Sequence, residues 1–340
     1  MTDVDPEWVH EQIQSEVATV IVGNDEVVER LLITFLTRGH ALLEGVPGVA
    51  KTSIANAFAR TTGLGYNRIQ MTPDLLPADI TGTHIYRDAT GEFELQRGPV
   101  FSNVVLADEI NRATPKTQSA LLEAMQEGQV TIEGDTLSLP SPFMLIATQN
   151  PLEMEGVFEL PEAQRDRFQL KLTVDLPSSA EEQRLLDRFD ANPELTPESL
   201  EQVVTTEDLL AAREYVDGVY VDQKIKDYIL SIVAATRESD AVEFGASPRA
   251  ALTYMNVSKA RAAIRGRDYV IPDDVNDLAQ PTLAHRLVVS ADADLRGRTT
   301  EDLVAEILDA VDAPGGSSSP PPSQRTDGES GESRPPSDDR

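Results

Sequence analysis

The segment Gly45-Val46-Pro47-Gly48-Val49-Ala50-Lys51-Thr52 constrains the fold more than any other part of the chain. It lies between a short apolar run, residues 40–44, and a stretch of helical spacing, residues 52–60, where Ile54, Ala55, Phe58 and Ala59 share one face. Strand, glycine-rich loop and helix in that order make a phosphate cradle. Gly45 and Gly48 let the backbone curl so that its N–H groups face inward, and the helix N-terminus, with Ser53 in its first turn, adds more donors. Lys51 is placed to reach the outer phosphates of ATP, and Thr52 to ligate Mg²⁺ through its hydroxyl. The strict pattern asks for glycine at position 50. Ala50 is expected to tolerate it, on the reading that a helix start is right-handed there.

A loop of this kind needs a parallel sheet, and the first half of the chain supplies one. Residues 66–71, 103–107, 142–148 and 168–174 read as further strands. Residues 115–127 read as a helix with Thr114 as N-cap, Pro115 in the first turn and Gly128 past the end. Two segments interrupt the alternation. Residues 72–99 form an insertion longer than a connection requires. Residues 129–140 read as a hairpin, with Val130 and Ile132 alternating with polar residues and Gly134-Asp135 as the turn. Inserted loops on a rigid scaffold commonly carry function.

From about residue 180 the periodicity is helical, over residues 180–189, 222–237, 248–265, 272–287 and 300–311. The expected fold class is therefore α/β, a parallel sheet sandwiched by helices over residues 21–176. An N-terminal helix within residues 1–20 precedes it, and an α-helical domain over 177–313 follows, with the boundary near Leu176-Pro177. The tail, 314–340, holds no Ile, Leu, Val or aromatic residue, so it cannot offset the entropy of ordering and is expected to be disordered.

Further motifs fall where a parallel sheet forms its crevice. The strand Val104-Val105-Leu106-Ala107 runs into Asp108-Glu109. Asp108 can hold the Mg²⁺ shell, through water, and Glu109 can orient and polarise an attacking water. Ala147-Thr148-Gln149-Asn150 ends another strand, and the Asn150 amide can meet the γ-phosphate and the water; Asn150-Pro151 also has the form of a turn initiator. A cation facing the charge that develops in phosphoryl transfer can be worth ~10³–10⁵ in rate. Arg165, Arg167, Arg249 and Arg112 are the candidates.

Composition narrows the function. There is no cysteine, which excludes disulfides, thiolate metal sites and a cysteine nucleophile. The histidines, His10, His40, His84 and His285, are scattered. The net charge of −29 repels nucleic acid and anionic membranes over most of the surface. High acidity with six lysines against 23 arginines is similar to proteins of salt-rich cytoplasms. No apolar run approaches a membrane span and the acidic N-terminus has no secretory pattern, so a cytoplasmic location is expected.

Together the phosphate loop, Asp108-Glu109-Ile110-Asn111-Arg112, residues 147–151, 160–168 and 245–250 resemble the AAA+ ATPases of the MoxR family, in order and spacing, across roughly residues 21–289. The resemblance implies a ring, a hexamer, with ATP between subunits and the helical domain as a lid. Residues 72–99 match the family's helix-two insertion, and residues 129–140 the hairpin before the first sensor. Lys51 and Thr52 fall in Walker A, Asp108 and Glu109 in Walker B, and Asn150 at sensor one. Arg167 matches the arginine finger acting on the next subunit, with Arg165 its competitor. Arg249 matches sensor two, expected to contact the γ-phosphate of its own subunit. Val22 and Gly23 match the stretch that lines adenine. The implied activity is ATP hydrolysis coupled to remodelling or maturation of partner proteins, of which a von Willebrand factor A domain protein is the implied client or adaptor. A nucleic-acid motor and a nucleotide switch without turnover are the alternatives. Against a motor, the insertion holds only Arg87 and Arg97 beside Asp74, Asp79, Asp88, Glu92 and Glu94, and the hairpin holds no basic residue.

Overall fold

In a computed structural model, residues 4–89, 91–152 and 156–315 are described. Of the tail expected to be disordered, residues 316–340 lie outside the described residues. Helices α1 (Pro6–Val20) and α2 (Asp25–Leu36) lead into β1 (Ala41–Glu44), α3 (Lys51–Thr61) and β2 (Tyr66–Gln70). The insertion folds as α4 (Pro77–Thr81) and an antiparallel pair, β3 (Gly82–Arg87) and β4 (Glu92–Arg97). Then come β5 (Val104–Asp108), α5 (Pro115–Glu127), the hairpin β6 (Gln129–Ile132) and β7 (Asp135–Ser138), β8 (Met144–Gln149), α6 (Glu162–Arg165) and β9 (Leu170–Thr173).

Five strands form one parallel sheet in the order β2-β5-β8-β1-β9. Both faces are covered, which is why β5 and β8 are nearly continuous apolar runs. The period of two divides them. Ala41, Leu43, Leu106, Ile146 and Leu170 face the core shared with α1, α2 and α3. Leu42, Val105, Leu145 and Ala147 face the second core, where Ile80 of α4 and Leu121, Leu122 and Met125 of α5 pack.

The rest of the chain is helical: α7 (Ser179–Ala191), α8 (Thr206–Gly218), α9 (Gln223–Glu238), α10 (Pro248–Ile264), α11 (Pro272–Leu283), α12 (Ala291–Leu295) and α13 (Thr300–Ala310), with a short pair β10 (Val242–Phe244) and β11 (Val288–Val289). The helix expected over 272–287 is shorter, because Pro281 lacks an N–H in its last turn and a tight turn at Ala284–Arg286 follows. Helix α8 was outside the sequence expectation, although Thr205 and Asp208 form a capping box at its start. The first core crosses the boundary expected near Leu176-Pro177: Ile229, Ile232 and Tyr254 are buried in the same cluster as Val9, Ile13 and Leu32.

The hairpin turn differs by one residue from the expected Gly134-Asp135. Ile132 pairs with Asp135, so the turn residues are Glu133 and Gly134, at φ 50° and 104°. Two left-handed residues match the strand twist of a tight hairpin, and glycine takes the second place without strain. The two hairpins touch: His84 Nδ1 lies 3.3 Å from a Glu133 carboxylate oxygen, and the Thr83 hydroxyl donates to the same carboxylate at 3.3 Å.

Candidate functional site

The parallel register brings three strand ends to one edge. Glu44 pairs with Gln149 and Ala107 with Ala147, so Gly45, Asp108 and Asn150 leave the sheet side by side. Gly45 N–H donates to the Gln149 carbonyl at 3.3 Å, closing the start of the loop against β8. Any side chain at Gly45 would strike the Val174 carbonyl, 2.4 Å from a Cβ. Gly48 turns the loop at φ 88°. The Lys51 ammonium donates to the carbonyls of Gly45 and Val46 at 2.5 and 2.9 Å, folding over the loop that it serves.

Ala50 does not adopt the expected right-handed conformation. It caps α3 at φ 67°, ψ 19°, in the left-handed region. A Cβ there strains against the following carbonyl by about 1–2 kcal/mol, the physical reason the strict pattern wants glycine.

Asp108 is buried, and both oxygens are held. Oδ1 accepts the Thr148 hydroxyl at 2.5 Å; Oδ2 accepts the Thr52 hydroxyl at 3.1 Å and the Arg68 guanidinium at 2.9 Å from Nε. Thr148 is fully buried and also accepts the Glu109 N–H at 2.8 Å, so one hydroxyl fixes both acids. Glu109 itself sits at φ 60°, ψ 52°, a left-handed glutamate whose strain the surrounding bonds must hold. Its carboxylate accepts the Gln70 amide at 2.8 Å and lies 3.2 Å from Arg112 Nε. Arg112, a candidate cation in the sequence, thus serves Glu109. Arg68, Gln70 and Thr148 carried no role in the sequence reading, although Arg68 and Gln70 alternate around buried Ile69 on β2 and must share a face.

Asn150 is buried, and its side-chain oxygen accepts Leu152 N–H at 3.1 Å across Pro151. The turn-initiating form and the strand-end amide are the same residue. A hydroxyl and a carboxylate 3.1 Å apart, Thr52 and Asp108, are hard oxygen donors suited to Mg²⁺, which keeps waters and phosphate oxygens in its shell rather than an all-protein cage.

Val22 and Gly23 line a cleft of about 910 Å³ together with Glu44, Lys171 and residues of α11 and α13. Lys171 bridges Glu44, at 2.9 Å, and Glu301 of α13, at 3.0 Å. Burial opposes the charge of Lys171, but the two carboxylates outweigh it and raise its pKa above the ordinary lysine value.

Arg167 and Arg249 lie elsewhere. They line a separate cavity of about 280 Å³ with Arg38, His40, Gln126 and Arg286. His40 precedes β1 and its carbonyl receives Gln169 N–H at 2.8 Å, so this cavity is at the start of β1 while the phosphate loop is at its end. Four residues of strand separate the two by roughly 13 Å. The resemblance places Arg249 at the γ-phosphate of its own subunit; here Arg249, in the first turn of α10, lines the cavity of Arg167 and not the cleft of Val22 and Gly23. Arg167 Nη1 donates to the Gln126 side-chain oxygen. Arg165 is turned inward, its Nε buried without a partner. Arg286, also unforeseen, ties the 166–169 turn to the helical part. Its buried guanidinium bonds Asp166 at 2.8 Å and the carbonyls of Phe168, Gln169 and Thr282.

The profile of the ATPase family associated with various cellular activities (AAA) matches residues 40–170, and that of the AAA lid domain residues 234–307. Chaperone MoxR1 of Mycobacterium tuberculosis is 47% identical over 308 residues, covering 88% of this chain and 81% of that one. Protein MoxR of Methylorubrum extorquens is 30% identical over 326 residues, covering 89% and 94%. The crystal structure of a Cytophaga hutchinsonii protein, described as a candidate ATPase, superposes with a TM-score of 0.83 at 40% identity, covering 91% of this chain and 97% of that chain. With its phosphate loop, five-stranded parallel sheet and helical lid aligned over most of these lengths, the chain belongs to the MoxR family of AAA+ ATPases.

Proposed function

We propose that this chain hydrolyses ATP to ADP and phosphate as one subunit of a cytoplasmic ring, a hexamer, that remodels or matures partner proteins. The observation that carries the reading is the division of the catalytic set. Lys51, Thr52, Asp108, Glu109 and Asn150 gather at the ends of β1, β5 and β8, whereas Arg167 and Arg249 share a cavity at the other end of β1. A site so divided is completed by the next subunit.

In that ring the loop N–H groups from Val46 to Ser53 and the Lys51 ammonium hold the phosphates. Val22 and Gly23 bound the cleft that takes adenine. Thr52 and Asp108 would hold Mg²⁺, which when bound neutralises phosphate charge. Glu109 orients and deprotonates the attacking water, held in place by Gln70, Arg112 and the Thr148–amide bond. The Asn150 amide positions water and γ-phosphate. Arg167 and Arg249 meet the developing charge from the neighbouring subunit. Arg167 is favoured over Arg165, because the Arg165 Nε is buried and Arg165 does not line the shared cavity. The left-handed backbone of Glu109 supports the same reading, since such strain persists where a site over-determines it. A von Willebrand factor A domain protein is the proposed client or adaptor. The name of the mycobacterial relative, a chaperone, supports the remodelling role.

Glu109→Gln tests the chemistry. Phosphate release should fall by about 10²-fold or more while nucleotide binding persists, and the trapped ring should retain its partner on purification. Turnover equal to wild type would remove Glu109 as the base. Turnover stimulated by DNA would favour the nucleic-acid motor instead.

A further inference from the structure

We propose that Arg68 is the resident counter-cation of Asp108, a positioning residue on β2 that must leave before Mg²⁺ engages; this rests on reading Asp108 as a metal ligand. Two nitrogens of the Arg68 guanidinium meet the same carboxylate oxygen, Oδ2, at 2.9 Å and 2.7 Å. That oxygen also accepts the Thr52 hydroxyl, and its partner oxygen is taken by Thr148. Oδ2 has no further acceptor capacity while Arg68 is in place. The water shell of Mg²⁺ would take the same acceptor sites on Oδ2, and the two cations repel each other at that range, so the arginine and a divalent ion oppose each other there.

The two partners differ in freedom. The Asp108 side chain is 9% exposed and pinned by hydroxyls; the Arg68 side chain is 49% exposed. The acid stays and the guanidinium has an open path to solvent. An ion pair with one half-exposed member is worth little, so the latch can be displaced by a divalent charge bound together with phosphates.

Its departure would be felt at Glu109. The same guanidinium donates to the Gln70 side-chain oxygen at 2.8 Å, and the Gln70 amide donates to Glu109 at 2.8 Å. Asp108, Arg68, Gln70 and Glu109 form one chain of bonds across β2 and β5, whose register pairs Gln70 with Asp108. Removing Arg68 from Asp108 frees Gln70 to turn and so alters the hold on the water-activating acid. Occupancy of the metal position is thereby reported to the base before any chemistry occurs.

The test compares the full chain with Arg68→Ala and Arg68→Lys, titrating Mg²⁺ calorimetrically into each protein with ADP bound, with unfolding midpoints read in the absence of metal. Arg68→Ala should bind Mg²⁺ about fivefold more tightly, the weight of one exposed ion pair. Arg68→Lys, which keeps a cation near Asp108, should stay close to wild type. Metal-free midpoints should agree within a few degrees, as expected for a half-exposed side chain. Equal or weaker Mg²⁺ binding by Arg68→Ala, with nucleotide binding retained, would overturn the latch alone. A wild-type chain that binds no nucleotide in Mg²⁺ would remove the site reading and the latch with it.

Discussion

Arg167 and Arg249 open onto the same cavity although one ends the turn before β9 and the other starts α10. Arg286 makes this possible. Buried and bonded to Asp166, Phe168 and Gln169, it clamps the Arg167 turn to the helical lid, and the Ser247 hydroxyl lies 3.5 Å from the same Asp166. The lid and the 166–169 turn therefore present their arginines as one unit.

Mixing inactive subunits separates the two possible placements of Arg249. Lys51→Ala and Arg249→Ala should each lose most ATP turnover. Combined one to one, they should regain about a quarter of wild-type activity, since a head-to-tail ring then pairs some intact Lys51 sites with intact Arg249 neighbours. The check is phosphate release after co-assembly. No regain would return Arg249 to its own subunit's site.

Ala50 carries left-handed strain at the base of α3. Ala50→Gly should relieve it, partly offset by the greater freedom of glycine in the unfolded chain, for a net gain of up to about 1 kcal/mol. Scanning calorimetry should show a midpoint higher by about 1–3 °C. A clear fall in midpoint would show that the loop relaxes some other way.

His40 links stability to acid. Its Nδ1 accepts Leu145 N–H at 2.9 Å and its Nε2 faces the Met125 carbonyl at 3.0 Å. Burial lowers its pKa to about 4, from 6.5. The folded state holds it neutral, so its contribution is complete above pH 6.5 and is lost as pH falls through 4. The loss amounts to about 3 kcal/mol. Urea unfolding measured from pH 7 to 4 should show this decline, and His40→Gln should flatten it from a lower starting stability. An unchanged slope in the variant would assign the acid limb to other groups.

With a net charge of −29, dilute buffer leaves the fold under strong self-repulsion. Raising KCl from 0.05 to 2 M shortens the screening length from about 14 to about 2 Å. The unfolding midpoint should rise steadily across that range, well beyond the gain seen for a near-neutral protein of similar size. Equal midpoints at both ends would remove the salt-adaptation reading.

The five sheet strands were legible to within two residues: β5 and β8, buried on both faces, need unbroken apolar runs, and the ends of β1, β5 and β8 are marked by Gly45, Asp108 and Asn150. The β3–β4 pair was not. Tyr86 and Phe93 stack edge to face at 5.4 Å but are exposed, so no apolar alternation announces them. Ala50 misled for a different reason: the residue type tolerates either conformation, and only the closed loop sets its φ.

The sequence by itself determined the phosphate loop, the paired acids and the order of strands and helices, since each is written in local periodicity and local chemistry. Only the tertiary structure decided which cations those acids meet. Arg68 reaches Asp108 through the pairing of β2 with β5, and Arg249 reaches Arg167 through the packing of α10 and the buried Arg286. Register and packing are set by contacts far apart in the chain, and no spacing along it records them.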